Sequence, residues 1–203
     1  MIHAIWNTET TPTPKADRET PKLTVENIDN HLYFYSTVDP DRCLALMKAI
    51  REIDNSLRRE YQSRDLPEDF PMVPIWLHVN SGGGSLFDAL SVSDQLTLIK
   101  SPIYSIVEGY SASAASIISM ACTKRYIRPS AYMMIHQFWS FMFGKYEEFK
   151  DDMKFQDMLM ATLTTYYVDH SKMDSVKVTE LLKHDSWFNA EMSLELGLAD
   201  HIL

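Results

Sequence analysis

Four short stretches carry the residue types that hydrolytic chemistry needs. Met133-Met134-Ile135-His136-Gln137 ends an apolar run on a histidine, whose imidazole can take and return a proton near neutral pH. Gly109-Tyr110-Ser111-Ala112-Ser113-Ala114-Ala115-Ser116 offers three hydroxyls where an apolar run gives way to small residues. A serine at a strand-to-helix corner has the positive end of a helix behind it, and the next backbone N–H can stabilise an oxyanion. Asn80-Ser81-Gly82-Gly83-Gly84-Ser85 places three glycines between an apolar run and a helical pattern, which lets backbone N–H groups approach a ligand closely. Finally, Asp185 in His184-Asp185-Ser186-Trp187-Phe188-Asn189-Ala190-Glu191 supplies a carboxylate that could fix a histidine tautomer.

Each stretch has a plainer reading by itself. The glycine triplet fits a flexible turn, and no GK[ST] follows it, which speaks against a phosphate loop. The serine and alanine run fits close helix packing, His136 a hydrogen-bonded structural histidine, and Asp185 a turn residue. Together they supply a nucleophile, a base, a tautomer-fixing acid and N–H donors, in the chain order Ser, His, Asp. Spacing alone leaves Ser111, Ser113 and Ser116 in competition for the nucleophile.

The elements that must position these residues follow from periodicity. Short apolar runs bounded by turn signals predict buried strands over 74–79 and 103–107, with further strands over 31–37, 125–128 and 132–135. Asp39-Pro40-Asp41 predicts a helix start, with Leu44, Met47, Ile50, Ile53 and Leu57 as its apolar stripe. Helices are also predicted over 85–100, 111–122, 145–167 and 175–183. Phe149, Met153, Met160 and Leu163 form the stripe of the long one. A last helix begins near Asn189 and ends at Leu196, before Gly197. Alternating strands and helices predict an α/β chain with a mainly parallel sheet. Pro12, Pro14 and Pro21 set residues 1–30 apart as an extended or mobile arm.

Bulk composition narrows the function. The chain of 203 residues is 45% apolar and 23% charged, which fits a globular domain with a sizeable core. Its 19 basic and 28 acidic residues give a net charge of −9, and an acidic surface argues against a nucleic-acid partner. Arg51, Arg58, Arg59 and Arg64 read as a solvated helix face. No apolar run approaches the roughly 20 residues that span a bilayer, so no membrane is expected. The first residues do not read as a signal peptide. No metal-ligand spacing occurs, and no cofactor or metal is expected. Cys43 and Cys122 lie in apolar surroundings and read as buried reduced thiols, which predicts a cytoplasmic location.

From residue 31 onward the chain resembles the ClpP family, the proteolytic subunit of the Clp protease. Asn80-Ser81-Gly82-Gly83-Gly84 resembles that family's N-S-P-G-G loop, with Gly82 in the place of proline. Gly109 to Ala115 resembles its G-x-A-A-S-[MA]-[GA] nucleophile motif, and Met134-Ile135-His136-Gln137 its M-I-H-Q motif. Asp185 to Glu191, with Glu195-Leu196-Gly197-Leu198-Ala199-Asp200, resembles its D-x-[FW]-[FLM]-[ST]-A-x-E-A…E-x-G-L-[AV]-D ending.

The resemblance implies a ClpP/crotonase-like fold of stacked ββα units with a protruding strand-helix handle over about 138–170, in one peptidase domain over 31–203. It implies Ser113 as nucleophile, His136 as general base and Asp185 as the residue orienting it. The backbone N–H groups of Gly84 and Ala114 become the oxyanion donors. Gly83, Ser85, Gln137 and Phe138 become substrate-binding positions. Implied partners are peptide or protein substrates, further copies of the chain in heptameric rings that could stack in pairs, and a Clp-family unfoldase ATPase.

Two departures stand out. The family's glycine-rich substrate strand is here Phe138-Trp139-Ser140-Phe141-Met142-Phe143-Gly144, and residues 1–30 do not match its apolar axial loop. Other readings are therefore a stand-alone relative, like the ClpP-like proteases of viral capsid maturation, a crotonase-fold acyl-CoA enzyme, or a non-catalytic ring subunit.

Overall fold

The runs Ile75–Ser81 and Ile103–Ala112 bury Ile75, Leu77, Val79, Ile103 and Val107 on one face, while Trp76, Tyr104 and Glu108 on the other stay partly exposed. They form the centre of a mixed sheet. The computed structural model describes residues 25–64, 66–67 and 70–203. Among the described residues the chain order is β1 Glu26–Ile28, β2 His31–Phe34, α1 Pro40–Ser63, β3 Ile75–Ser81, α2 Leu86–Leu96, β4 Ile103–Ala112 and α3 Ala114–Met120. It continues with β5 Lys124–Ile127, β6 Tyr132–Ile135, α4 Tyr146–Asp169, α5 Ser175–Leu182, β7 Ser186–Phe188, α6 Ala190–Leu196 and β8 His201–Ile202.

The sheet runs β1-β2-β3-β4-β5-β8, with β6 branching from β4 and β7 lying beside β6. All pairs are parallel except β1–β2 and β6–β7. β4 is long enough to serve two neighbours. Tyr104 to Val107 pair with β5, and Tyr110 to Ala112 pair with β6. That split matters for function, because the second half of β4 leads straight into Ser113 and β6 leads into His136.

Helices pack on the sheet through ordinary local rules. Asp39 caps α1 by accepting the Arg42 N–H at 3.0 Å, and Pro40 opens its first turn. Its buried face is Cys43, Leu46, Met47, Ile50 and Ile53. Met47, Ile50 and Ile53 of the predicted stripe are buried and Leu57 packs against the core, whereas Leu44 is exposed and Cys43 and Leu46 take its side of the face. Leu32, Phe34, Leu46, Ile50, Ile75, Leu77, Ile117 and Ile118 are fully buried, each adding about 1.5–3 kcal/mol of hydrophobic stabilisation. Cys43 and Cys122 are buried and unpaired.

Several predicted boundaries shift. The helix expected over 111–122 begins only at Ala114, because Ser111 and Ala112 continue β4 and pair with Met133 and Met134. The short strands β7 and β8 carried too little alternation to be read. The arm expected over 1–30 lies outside the described residues for 1–24, whereas Glu26–Ile28 pair with β2 as a strand. The handle departs most. Residues 138–144 form no strand, because the chain leaves the sheet after β6 and the Gln137 N–H bonds instead to Leu182 O at 2.7 Å. In α4 only Leu163, Tyr166 and Tyr167 are buried. Phe149 and Met153 of its predicted stripe are exposed, so its first half projects away from the core.

Candidate active site

β4 ends at Ala112 and α3 begins at Ala114, leaving Ser113 alone to turn the chain. It does so at φ 54° and ψ −128°, a region costly for a side chain with a Cβ. Its N–H donates to Met134 O at 2.8 Å, which carries the β4–β6 ladder one step past the strand end. A serine at a helix start normally caps the helix with its own oxygen. Ser113 does not; its Oγ lies 2.7 Å from His136 Nε2.

His136 follows β6 and Asp185 precedes β7. The two strands are antiparallel, with Ile135 opposite Ser186, so the next rung sets His136 opposite Asp185. His136 Nδ1 and Asp185 Oδ1 are 3.0 Å apart. β7 is therefore the element that delivers the carboxylate, and Ser186 Oγ–H anchors its start on Leu181 O at 2.8 Å. Accessibility rises outward along the three residues, to 25% for the His136 side chain and 71% for Asp185.

The glycine loop closes over this corner from the β3 side. Val38 clamps it: the Val38 N–H donates to Gly83 O at 2.9 Å, and the Ser85 N–H donates to Val38 O at 2.8 Å. A Cβ on Gly83 would stand 2.6 Å from Ala112 O and 2.8 Å from Ser113 Cβ, and one on Gly84 would stand 2.2 Å from Val38 O. Both residues have positive φ, so only glycine fits the clamp. Gly82 differs, since its Cβ would meet Tyr110 at an ordinary 3.6 Å. Among the described residues, the N–H groups of Gly84 and Ala114 have no backbone acceptor. The structure thus brings Ser113, His136, Asp185, Gly84 and Ala114 to one place.

A cavity of about 560 Å³ opens beside Ser113 and His136. Phe87, Ile117, Phe138 and Phe141 line it together with Leu159 and Leu163 of α4. Of the four substrate-binding positions expected, Ser85 and Phe138 line this cavity. Gly83 and Gln137 do not. The Gly83 N–H donates to Ser81 Oγ at 3.1 Å and its carbonyl is held by Val38, so it packs under Ser113 instead. Gln137 is exposed and its N–H is held by Leu182. Ser85 Oγ accepts the Asp88 N–H at 3.3 Å and so caps α2 while lining the cavity. Sequence reading missed the α4 wall and Val38. The wall was readable as an apolar helix face, but nothing in the local sequence marks Val38 as a clamp.

Electrostatics leave the cysteines inert. Burial, then Asp88 and Asp39, pushes the Cys43 thiol up to about 11, and burial pushes Cys122 up to about 12. Neither can supply a thiolate nucleophile near neutral pH. Among the described residues, no group of three or more His, Cys, Asp or Glu could hold a metal ion, and no helix is long and apolar enough to cross a membrane.

Comparison with known proteins covers most of this architecture. The family model described as Clp protease matches residues 43–203. "ATP-dependent Clp protease proteolytic subunit 2" of Treponema denticola is 32% identical over 131 residues, 64% of this chain and 66% of the relative. The proteolytic subunit 2 of Cutibacterium acnes is 30% identical over 134 residues, 65% of this chain and 63% of the relative. In both the match spans less than two thirds of the relative's own length. The "ATP-dependent Clp protease proteolytic subunit" of Streptococcus thermophilus is 30% identical over 174 residues, 83% of this chain and 88% of the relative.

Proposed function

The chain belongs to the Clp protease family, and from that premise we propose that it is a serine endopeptidase cleaving peptides or unfolded proteins through an acyl-enzyme. The observation that carries this reading is the 2.7 Å contact between Ser113 Oγ and His136 Nε2, with Asp185 Oδ1 3.0 Å from the other ring nitrogen. Ser113 O–H donates to Nε2, and the His136 Nδ1–H donates to Asp185, which selects the tautomer able to accept a proton. Ser113 Oγ attacks the scissile carbonyl as His136 takes its proton. The negative oxygen of the tetrahedral intermediate turns toward the N–H groups of Gly84 and Ala114. His136 then gives the proton to the leaving amine. Water, activated by the same imidazole, releases the acyl group and restores Ser113. An acyl-CoA enzyme of related fold would need N–H donors but has no use for the Ser113–His136 pair.

The reading extends to a self-assembled ring chamber. Its support is exposed apolar surface: Trp139 is 85%, Phe141 78% and Phe143 91% exposed in the isolated chain. Side chains of this size clustered on one segment are the kind that a further copy of the chain covers. The relatives' names read ATP-dependent, and since no step above consumes ATP, the proposed source of that dependence is a separate ATPase partner. The two free buried thiols support a reducing, cytoplasmic compartment.

Labelling with a fluorophosphonate probe tests the nucleophile. The native chain is expected to label and Ser113→Ala not to; equal labelling of the two removes Ser113 from the role.

A further inference from the structure

Beneath the Ser113 corner lies a chain of buried hydroxyls that the reaction above does not use. Ser116 Oγ is 2.6 Å from Ser113 O and 2.8 Å from the hydroxyl of Tyr167, near the end of α4. Ser116 and Tyr167 are 0% and 1% exposed. The direction of these bonds is fixed by chemistry. A carbonyl oxygen only accepts, so Ser116 gives its single hydroxyl proton to Ser113 O and keeps a lone pair for Tyr167, which must be the donor. Burial pushes the Tyr167 hydroxyl up to about 12, so it keeps that proton across the neutral range.

The carbonyl held in this way is half of a peptide unit whose other half is the Ala114 N–H. The unit is planar and trans, so C=O and N–H point in opposite directions and cannot be aimed separately. Two donors converge on Ser113 O, the Ser116 hydroxyl and the Ser116 N–H at 3.0 Å. Bonds accepted by a carbonyl also polarise its amide and strengthen the N–H as a donor. The backbone of Ser113, at φ 54°, sits where it would relax if released.

We infer that Tyr167 and Ser116 are positioning residues that aim and polarise the Ala114 N–H through the Ser113 carbonyl. The inference rests on the reading of Ser113 as nucleophile and the Ala114 N–H as an oxyanion donor. It also gives α4 a second role. The helix whose Leu159 and Leu163 wall the cavity ends in the hydroxyl that sets the oxyanion site. The neighbouring Tyr166 provides an internal contrast. It is also buried, but its hydroxyl donates to Ile117 O at 2.7 Å, a peptide further along α3 than the Ser113–Ala114 unit.

The test compares Tyr167→Phe, Ser116→Ala and Tyr166→Phe in the full chain. For each, kcat and KM on a fluorogenic peptide are measured with the affinities of a peptide aldehyde and the matching alcohol. The aldehyde adds Ser113 Oγ to form a hemiacetal whose oxygen faces the N–H donors; the alcohol cannot. An interaction made only in the transition state predicts that Tyr167→Phe lowers kcat and aldehyde affinity together, by about tenfold, with KM and alcohol affinity within about twofold. Ser116→Ala should follow it, and Tyr166→Phe should lower the thermal midpoint without moving the aldehyde-to-alcohol ratio. If Ser116→Ala does not fold, Tyr167→Phe decides alone. A native chain that cleaves and binds aldehyde, with the ratio unchanged in Tyr167→Phe, overturns this inference and leaves the Ser113 reading standing. A native chain that neither cleaves nor labels at Ser113 overturns both.

Discussion

The floor and the roof of the cavity are built on different terms. In the floor, backbone bonds fix the position of each reacting group: Met134 O holds the Ser113 N–H, Val38 clamps the glycine loop, and the β6–β7 register sets Asp185 against His136. In the roof, residues 138–144 belong to no ladder, and Trp139, Phe141 and Phe143 are exposed. A hydrogen-bonded corner can be completed within one chain, because its partners lie a few residues from a strand end. An aromatic segment without a ladder has nothing comparable, and its apolar area is left for substrate or another copy of the chain to cover. The proposed catalytic geometry is therefore complete in the single chain, while the roof leaves apolar area that the proposed assembly would cover.

Breaking the floor should have the largest effect. His136→Ala removes the proposed general base and is expected to lower kcat by about 10⁴-fold or more, with the fold intact by circular dichroism. Asp185→Asn should cost less, by about 10²–10³-fold, because a carboxylate that is 71% exposed leaves room for water to accept from Nδ1. Equal losses in the two variants would mean that Asp185 is enclosed when the protein works, and the floor would then depend on assembly as is proposed for the roof.

The glycines divide the same floor more finely. Gly84→Ala puts a Cβ 2.2 Å from Val38 O at a φ of 151°, so the clamp must open and the Gly84 N–H must turn away. Losing one oxyanion donor predicts a fall in kcat of about 10²-fold. Gly82→Ala meets only the Tyr110 ring at 3.6 Å and should leave kcat within about twofold. Peptidase assays of the two alanine variants side by side measure the clamp directly; matching losses would remove Val38 from the account.

Sequence reading reached the floor far better than the roof, for physical reasons. His136 ends an apolar run and so stands out, whereas Ser113 competes with Ser111 and Ser116, Asp185 lies between His184 and Ser186, and only the family resemblance singles those two out. The strand that aligns Asp185 was missed because Ser186–Phe188 is three residues long, too short to show a period of two. The helix start near Ser111 was misread for a related cause: small residues serve a strand and a close-packed helix equally, and β4 kept Ser111 and Ala112 through pairing with β6. The apolar stripe of α4 was real, yet periodicity reports only that a face is apolar and not what covers it. Leu163 found the core, whereas Phe149 and Met153 did not.

The smallest effects should come from the roof, and they can separate its two faces. Phe138 lines the cavity and is half-buried, whereas Phe143 does not line it and is 91% exposed. Phe138→Ala should raise KM for an apolar peptide by about three- to tenfold and leave kcat nearly unchanged, as loss of uniform binding does. Phe143→Ser should leave KM of the assembled protein unchanged but raise the concentration at which sedimentation detects assembly, because its ring is 91% exposed among the described residues. If Phe143→Ser raises KM as much as Phe138→Ala does, the roof is one unit whose inner face takes shape only when its outer face is covered. The contrast with the floor would then be sharper still. His136 and Ser113 meet in a single chain, but the wall that receives the peptide side chain would be a product of assembly.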